Sequence, residues 1–502
     1  MVPRVVLRSL RLQNFRSLRD TGDVELRPIV LLVGANSSGK SSFLRFFPLL
    51  KQTAQANSRS PLLWFREERG LVDFRDFENT LSRGASEPEI IVSGELDEIS
   101  INPAGESATC RFRSHIAAKN GTSYLRSFHF QCLDDTLVAN FDASRRVTSI
   151  ESLGVDAIAH MDPNRREVAL ETLIPDFTGT LVGRVAHVQL SDRIWERVHG
   201  RTGSDKIDDI ALNVDYGSAE HVQQAMLDIS GGAKKWRENI QALKPTDPYI
   251  QEIKRLAFLR AVGGHDYWDP METLKSTLHG LANGVRYIGP FRRKPDRFYR
   301  QTEVSVDEID ATGSNLAMFL YSLEEPGRVG FSSWVYEHFG FHVRAERREA
   351  QVVLRIDTGT ESHFDLTDMG FGISQLLPVA AQCWLSSQGK PRRQGHAPSV
   401  VAIEQPELHL HPHHQFQLAD MFLGLATAAK ETHQRLTLCI ETHSEAMIHR
   451  FGELVAEDPR RRDDITILFF EKASDSDVST VRQIEFDAEG VLQNWPIGFF
   501  RG

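Results

Sequence analysis

The chain has 502 residues, 41% hydrophobic and 25% charged, with a formal net charge of −10. That is the balance of a globular protein of two or three domains, and apolar runs such as Ile29–Val33 and Val400–Ile403 are strand-sized, too short to cross a bilayer. The acidic excess excludes a dedicated nucleic-acid coat, and the scattered Cys110, Cys132, Cys383 and Cys439 exclude a zinc ribbon or a disulfide framework.

Val5–Leu12 and Asp23–Leu26 alternate like strands, with Asn14-Phe15-Arg16-Ser17 at the bend between them. The N-terminus lacks the apolar core and cleavage site of a signal peptide, so a cytoplasmic chain with no membrane partner is expected. Ile29–Val33 then runs into Gly34-Ala35-Asn36-Ser37-Ser38-Gly39-Lys40-Ser41, and a helix is predicted over Ser41–Leu50 with Pro48 kinking or shortening it. This strand, loop and helix carry G-x-x-x-x-G-K-[ST], which predicts bound ATP with Mg²⁺. Gly34 and Gly39 turn amides inward, Asn36, Ser37, Ser38 and Ser42 complete the shell, Lys40 adds charge and Ser41 ligates the metal.

Residues from about Leu71 to Val188 alternate mostly as strands, and those from about Asp192 to Gly284 as helices without sustained heptads. Beyond Arg286, strand and helix patterns alternate again. The fold class predicted is α/β, an NTPase head assembled from both chain ends. Its expected parts are 1–98 (phosphate loop), a mixed β and helical insertion over 99–284, and 285–502 (signature, acid-ended strand, histidine loop and tail). The segment Ser386–Pro398 reads as a solvent loop. The basic clusters Arg292-Arg293-Lys294 with Arg297 and Arg300, Lys390 with Arg392 and Arg393, and Arg460–Arg462 read first as solvated surface, with nucleic-acid contact left open.

Asp368-Met369-Gly370-Phe371-Gly372-Ile373-Ser374-Gln375 precedes an apolar helix and forms a second anion-compatible N-terminus. Val400–Ile403 ends in Glu404-Gln405-Pro406-Glu407, the pattern that holds a Mg²⁺ shell and positions an attacking water. Glu404 stands where Asp is commoner. Gln405 can orient a water but cannot take its proton, so either hydrolysis is slow or Glu407 serves as the base. His409, His411, His413 and His414 read as a packing loop rather than a metal site, because no Cys or carboxylate set completes a shell. Leu436–Ile440 ends in Glu441-Thr442-His443-Ser444, which places His443 to bond a γ-phosphate or the attacking water.

Together these motifs resemble the ABC-type ATPase heads of the structural-maintenance, RecF and double-strand-break-repair kind. They are most similar to compact bacterial "AAA family" ATPases related to the overcoming-lysogenisation nucleases. Arg286–Arg292 and the ending Asn494–Phe500 resemble a subgroup that includes the ATPase subunits of Septu-like and retron-linked antiphage systems. The resemblance covers both chain ends and says little about residues 100–280. It implies that Arg16 joins the nucleotide site and that a homodimer or higher homo-oligomer sandwiches ATP, with Gly370, Gly372, Ser374 and Gln375 reaching the partner's γ-phosphate. Catalytic work falls to Glu404, Gln405, Glu407 and His443, and the metal to Ser41 and Glu404. The signature departs from Leu-Ser-Gly-Gly-Gln, and no Q-loop glutamine follows the first helix, where Asp73 or Asp76 is the candidate substitute. The chain ends within about sixty residues of His443, so no Toprim domain is expected. The implied function is a sensor and scaffold controlling a separate effector nuclease in antiphage defence. The alternative is a RecF-like DNA-repair ATPase that clamps duplex DNA.

Overall fold

The computed structural model describes residues 6–56, 58, 60–67, 70–151, 167–177, 182–198, 202–228, 234–266, 268–300, 306, 308–349, 351–359, 363–388, 399–472 and 477–495. The chain divides into two compact units: Met1–Arg11, Asn57–Leu62 and Ser86–His279 form one, and Leu12–Ala56, Leu63–Ala85 and Gly280–Gly502 the other. The second unit is the α/β head drawn from both ends of the chain, as its sequence pattern requires. Lys390, Arg392, Arg393 and the tail Pro496–Phe500 lie outside the described residues.

The head is built on a parallel run of strands in the order Val285–Ile288, Val400–Glu404, Thr437–Glu441, Ile29–Gly34 and Ile465–Lys472, followed by the antiparallel Ser479–Ile484 and then Leu18–Asp20. Every residue of Ile29–Gly34 and Val400–Glu404 is buried. Strands covered on both faces need this, which is why both read as continuous apolar runs instead of alternating ones. Ile29, Leu31, Val33, Ile403, Ile440 and Phe451 share one core, each such side chain contributing roughly 1.5–3 kcal/mol by leaving water. The register sets Glu404 opposite Glu441 and Glu441 opposite Leu32. The acid-bearing strand ends therefore open onto the loop that begins at Gly34, at the carboxyl ends of the strands where α/β folds bind ligands.

The predicted Ser41–Leu50 helix is two pieces, Lys40–Leu44 and Phe46–Gln55, broken at Arg45. Pro48 falls in the first turn of the second piece, where its missing amide leaves no bond unmade. A small antiparallel sheet of Tyr299–Arg300, Gln351–Asp357, His342–Arg348 and His363–Asp365 belongs to the same unit.

The other unit is a meander, Glu89–Ser100, Ser107–Lys119, Thr122–Cys132, Asp135–Phe141 and Val147–Ile150, together with helices. Ser107–Lys119 alternates exposed and buried side chains over most of its length, the signature of a sheet with one wet face. Among the described residues of this unit the first α-helix is Val182–Trp195, which starts ahead of the expected Asp192. Fully buried Arg260 is satisfied by Asp266 and by the carbonyls of Ala211 and Val214. Among the described residues no helix is long and apolar enough to cross a membrane.

Candidate nucleotide site

The phosphate loop needs its glycines. Gly34 (φ 148°) pairs with Phe470 in the neighbouring strand, and a Cβ there would run into the Phe470 carbonyl. Gly39 (φ 99°) is the residue before the helix, and a Cβ would lie 2.7 Å from Ser17 Oγ and 2.9 Å from Leu18 Cδ2. Both are left-handed positions that only glycine occupies cheaply. Asn36 and Ser37 are exposed at the loop tip, Ser41 and Ser42 are half-buried, and Ser38 is buried with an Oγ that has no hydrogen-bond partner. Lys40 is 3% exposed and donates to the carbonyls of Gly34 at 3.0 Å and Ala35 at 2.8 Å. Burial lowers its pKa, against the pull of Glu441 and Glu407.

Glu404 is buried, and both its oxygens are engaged. Arg45 donates to them from Nε at 2.7 Å and from its terminal nitrogen at 2.8 Å, while the Tyr287 hydroxyl donates to Oε1 at 2.6 Å. Such bidentate, charge-assisted pairs are the strong ones, and the bond to Glu404 holds Arg45 above its ordinary value. Neither Arg45 nor Tyr287 stands out in the sequence. Arg45 lies 359 positions from Glu404, and only the fold joins them.

Gln405 turns through a positive φ of 45°, its amide donating to the Glu441 carbonyl at 2.8 Å. Arg292 braces this turn by donating to the carbonyls of Glu404 at 2.6 Å and Gln405 at 3.2 Å. Burial lowers its pKa to about 10. Arg292 therefore leaves the candidate nucleic-acid cluster. Its neighbours Arg293 and Arg297 pair with Asp296 and Asp368, and Arg460 with Asp458.

Glu407 and His443 come together: the His443 amide donates to Glu407 Oε1 at 2.7 Å, while Glu407 Oε2 and His443 Nε2 are buried without partners. Burial pushes the Glu407 carboxyl above its ordinary value, and burial followed by the Lys40 charge holds His443 below its own. A cleft of about 680 Å³ opens beside them, lined by Gln405, Glu407, His409, Gln415, His443 and His449 among others.

Glu441, which sequence reading passed over, is 4% exposed, its Oε2 has no hydrogen-bond partner, and Ser41 and Lys40 are among the groups that act on its charge. Its carboxyl is pushed up to about 7, first by burial and then by Glu404, against Ser41 and Lys40. An acid ending the apolar strand beside an acid-ended parallel neighbour was the available signal.

The signature segment is exposed at its start and buried beyond it. Gly370 is exposed, as is Phe371, whose ring meets that of His409 at 4.7 Å. Ser374 and Gln375, expected to reach a partner subunit, are 5% and 2% exposed. The Ser374 hydroxyl donates to the Phe371 carbonyl at 2.6 Å, the back-bond that serines readily make within helices. A Cβ on Gly372 would stand 2.6 Å from the His409 carbonyl. Arg16 is exposed, with its amide on the Thr80 carbonyl at 2.6 Å and its guanidinium 5.5 Å from the Phe74 ring centre. Asp76 caps the short helix Phe77–Thr80, and Asp73 accepts from the Arg75 amide at 2.7 Å.

The AAA ATPase domain family matches residues 6–130 and 272–448, more than half of the chain. A second family, described as a protein of unknown function (DUF3696), matches residues 461–500. A relative from Mycolicibacterium paratuberculosis, named "Putative S-adenosyl-L-methionine-dependent methyltransferase", is 32% identical over 193 residues, which cover 33% of this chain and 62% of the relative. The chain thus spans about three fifths of that relative's length, and the methyltransferase name is the relative's own. Among solved structures the chain is similar to an Smc head domain with an extended coiled coil bound to the C-terminal domain of ScpA, derived from Pyrococcus furiosus. Identity is 12%, coverage 96% of each chain and the TM-score 0.39. The SMC head domain from Thermotoga maritima aligns at 10% identity over 95% of this chain and 98% of that one, with a TM-score of 0.36. A glycine-turned phosphate loop, a buried lysine and acid-ended neighbouring strands lie within the family match, and the chain belongs to the AAA ATPase domain family.

Proposed function

We propose that the chain is an ATP-driven switch of the ABC-type head class, which binds ATP with Mg²⁺ at Gly34–Ser42 and closes on a second copy of itself. The observation that carries this reading is the set of buried polar atoms without partners around Lys40: Ser38 Oγ, Glu407 Oε2, Glu441 Oε2 and His443 Nε2. Buried polar groups are otherwise almost always satisfied, and a nucleotide's phosphates with their metal would satisfy donors and acceptors together. Mg²⁺ would offset phosphate charge. Lys40 and the loop amides bind and orient, and His443 offers a ring nitrogen toward the same space.

Glu407 is the group we assign as proton acceptor. Its Oε2 has no hydrogen-bond partner, and burial shifts its carboxyl upward, the direction that makes a carboxylate a better proton acceptor, while Gln405 only orients. Glu407→Gln should lower turnover by about 10²–10⁴-fold with ATP affinity retained, and Gln405→Glu should leave turnover within roughly that of wild type. Turnover that rises in Gln405→Glu and survives in Glu407→Gln would sink the assignment. The closed pair should appear by light scattering as an ATP-dependent dimer in Glu407→Gln that is lost in Lys40→Ala. The finer role, sensing and restraining a separate effector nuclease in antiphage defence, rests on the sequence resemblance of both chain ends, and isolation of the native complex tests it.

A further inference from the structure

Glu404 and Glu441 end adjacent parallel strands in register, yet their surroundings divide them. Glu404 accepts a guanidinium fork and a phenol, so its charge is matched and both oxygens are committed. Breaking a buried pair of this kind to serve a metal would strand Arg45 and Tyr287. Glu441 is as deeply buried, but its Oε2 has no hydrogen-bond partner, and the register sets it beside Leu32, two residues before the phosphate loop, where its charge acts on Lys40. The Gln405 amide holds the Glu441 carbonyl at 2.8 Å, which fixes the end of that strand under the loop.

We propose that Glu441, not Glu404, is the carboxylate that joins Ser41 in holding the Mg²⁺ of the bound nucleotide, while Glu404 anchors Arg45 and Tyr287. The inference rests on the ATP reading above. A hard dication selects oxygen ligands and is held in nucleotide sites by one or two carboxylates beside the phosphates. Glu441 has an uncommitted oxygen to offer an ion, whereas recruiting Glu404 would require dismantling a fork.

The test uses the full chain, a fluorescent ATP analogue and Mn²⁺ as the paramagnetic probe. Nucleotide affinity in EDTA reads the phosphate loop alone, and Mn²⁺ affinity of the nucleotide complex, by electron paramagnetic resonance, reads the metal site. Glu441→Gln should weaken Mn²⁺ binding by roughly tenfold or more, with affinity in EDTA unchanged. Glu404→Gln should keep Mn²⁺ affinity close to wild type. Should Glu441→Gln fold poorly, Glu441→Asp, which shortens but keeps the acid, should still lower Mn²⁺ affinity. Loss of Mn²⁺ in Glu404→Gln with retention in the Glu441 variants would overturn the proposal, as would equal loss in both. Failure of the wild type to bind nucleotide in EDTA would instead strike the ATP reading itself.

Discussion

Two buried lysines, one in each compact unit, keep opposite company. Lys254 in the insertion and Lys40 in the head are each 3% exposed. The ammonium of Lys254 lies 2.9 Å from Asp135, a carboxylate. That of Lys40 lies against two carbonyl oxygens of its own loop. A buried cation matched by an acid is committed to holding the fold, because removing it strands its partner. A buried cation held by carbonyls keeps its charge uncancelled at contact range, and it is poised for an anion. Equal burial thus hides two different settings, one lysine matched by an acid and one facing only carbonyls.

Substitutions can break or sharpen this contrast. Lys254→Ala should be the most damaging to stability, costing about 3–5 kcal/mol by leaving Asp135 buried and unpaired, as read by urea denaturation. Lys40→Ala should instead weaken ATP binding by roughly 10–100-fold, the loss of charge-assisted bonds, with the urea midpoint near wild type. If it unfolds the chain as Lys254→Ala does, the contrast fails. Gly39→Ala should follow, since φ 99° and Ser17 Oγ at 2.7 Å oppose a methyl group, at about 1–2 kcal/mol of strain, read as weaker ATP affinity.

Asp269 offers an effect that depends on pH. It caps the helix Pro270–Gly284 from the insertion side, accepting from the Met271 amide at 2.8 Å, yet burial pushes its carboxyl up to about 7. Between the ordinary carboxylate range and that value the folded chain keeps a proton that the unfolded chain has lost, so stability falls as pH rises through the window. Asp269→Asn keeps the cap and removes the slope. Its Tm should exceed wild type above neutral pH, where the wild-type chain must bury the charged form, and the gain should vanish near pH 4. A gain that is independent of pH would refute the burial account.

What the sequence made legible was local. The phosphate loop, the apolar strand before it and the acids after Val400–Ile403 are contiguous patterns with fixed chemistry, and His443 was placed by its strand end. The grip of Arg45 and Tyr287 on Glu404 was not legible, because it joins residues 359 and 117 positions apart and depends on strand order. Glu441 was hidden by the more familiar Thr-His that follows it, and its role emerges only when parallel register puts it beside Glu404. Arg292 read as surface because it sits in a basic run, whereas one member of that run points inward. The helix from Val182 was missed at its start, since Gly183 and Ala186 give its buried face too little bulk to show a period.

The glycine at 372 has a mechanical meaning. With no room for a methyl group between it and the His409 carbonyl, the first turn of the signature helix and the loop behind Glu407 are geared together. Neither segment has room to move toward the other, so a shift of that loop toward the helix would have to be matched by a shift of the helix start. The ring of Phe371 meets that of His409 on the same side, so the exposed start of this helix and the loop two residues past Glu407 form one tight contact.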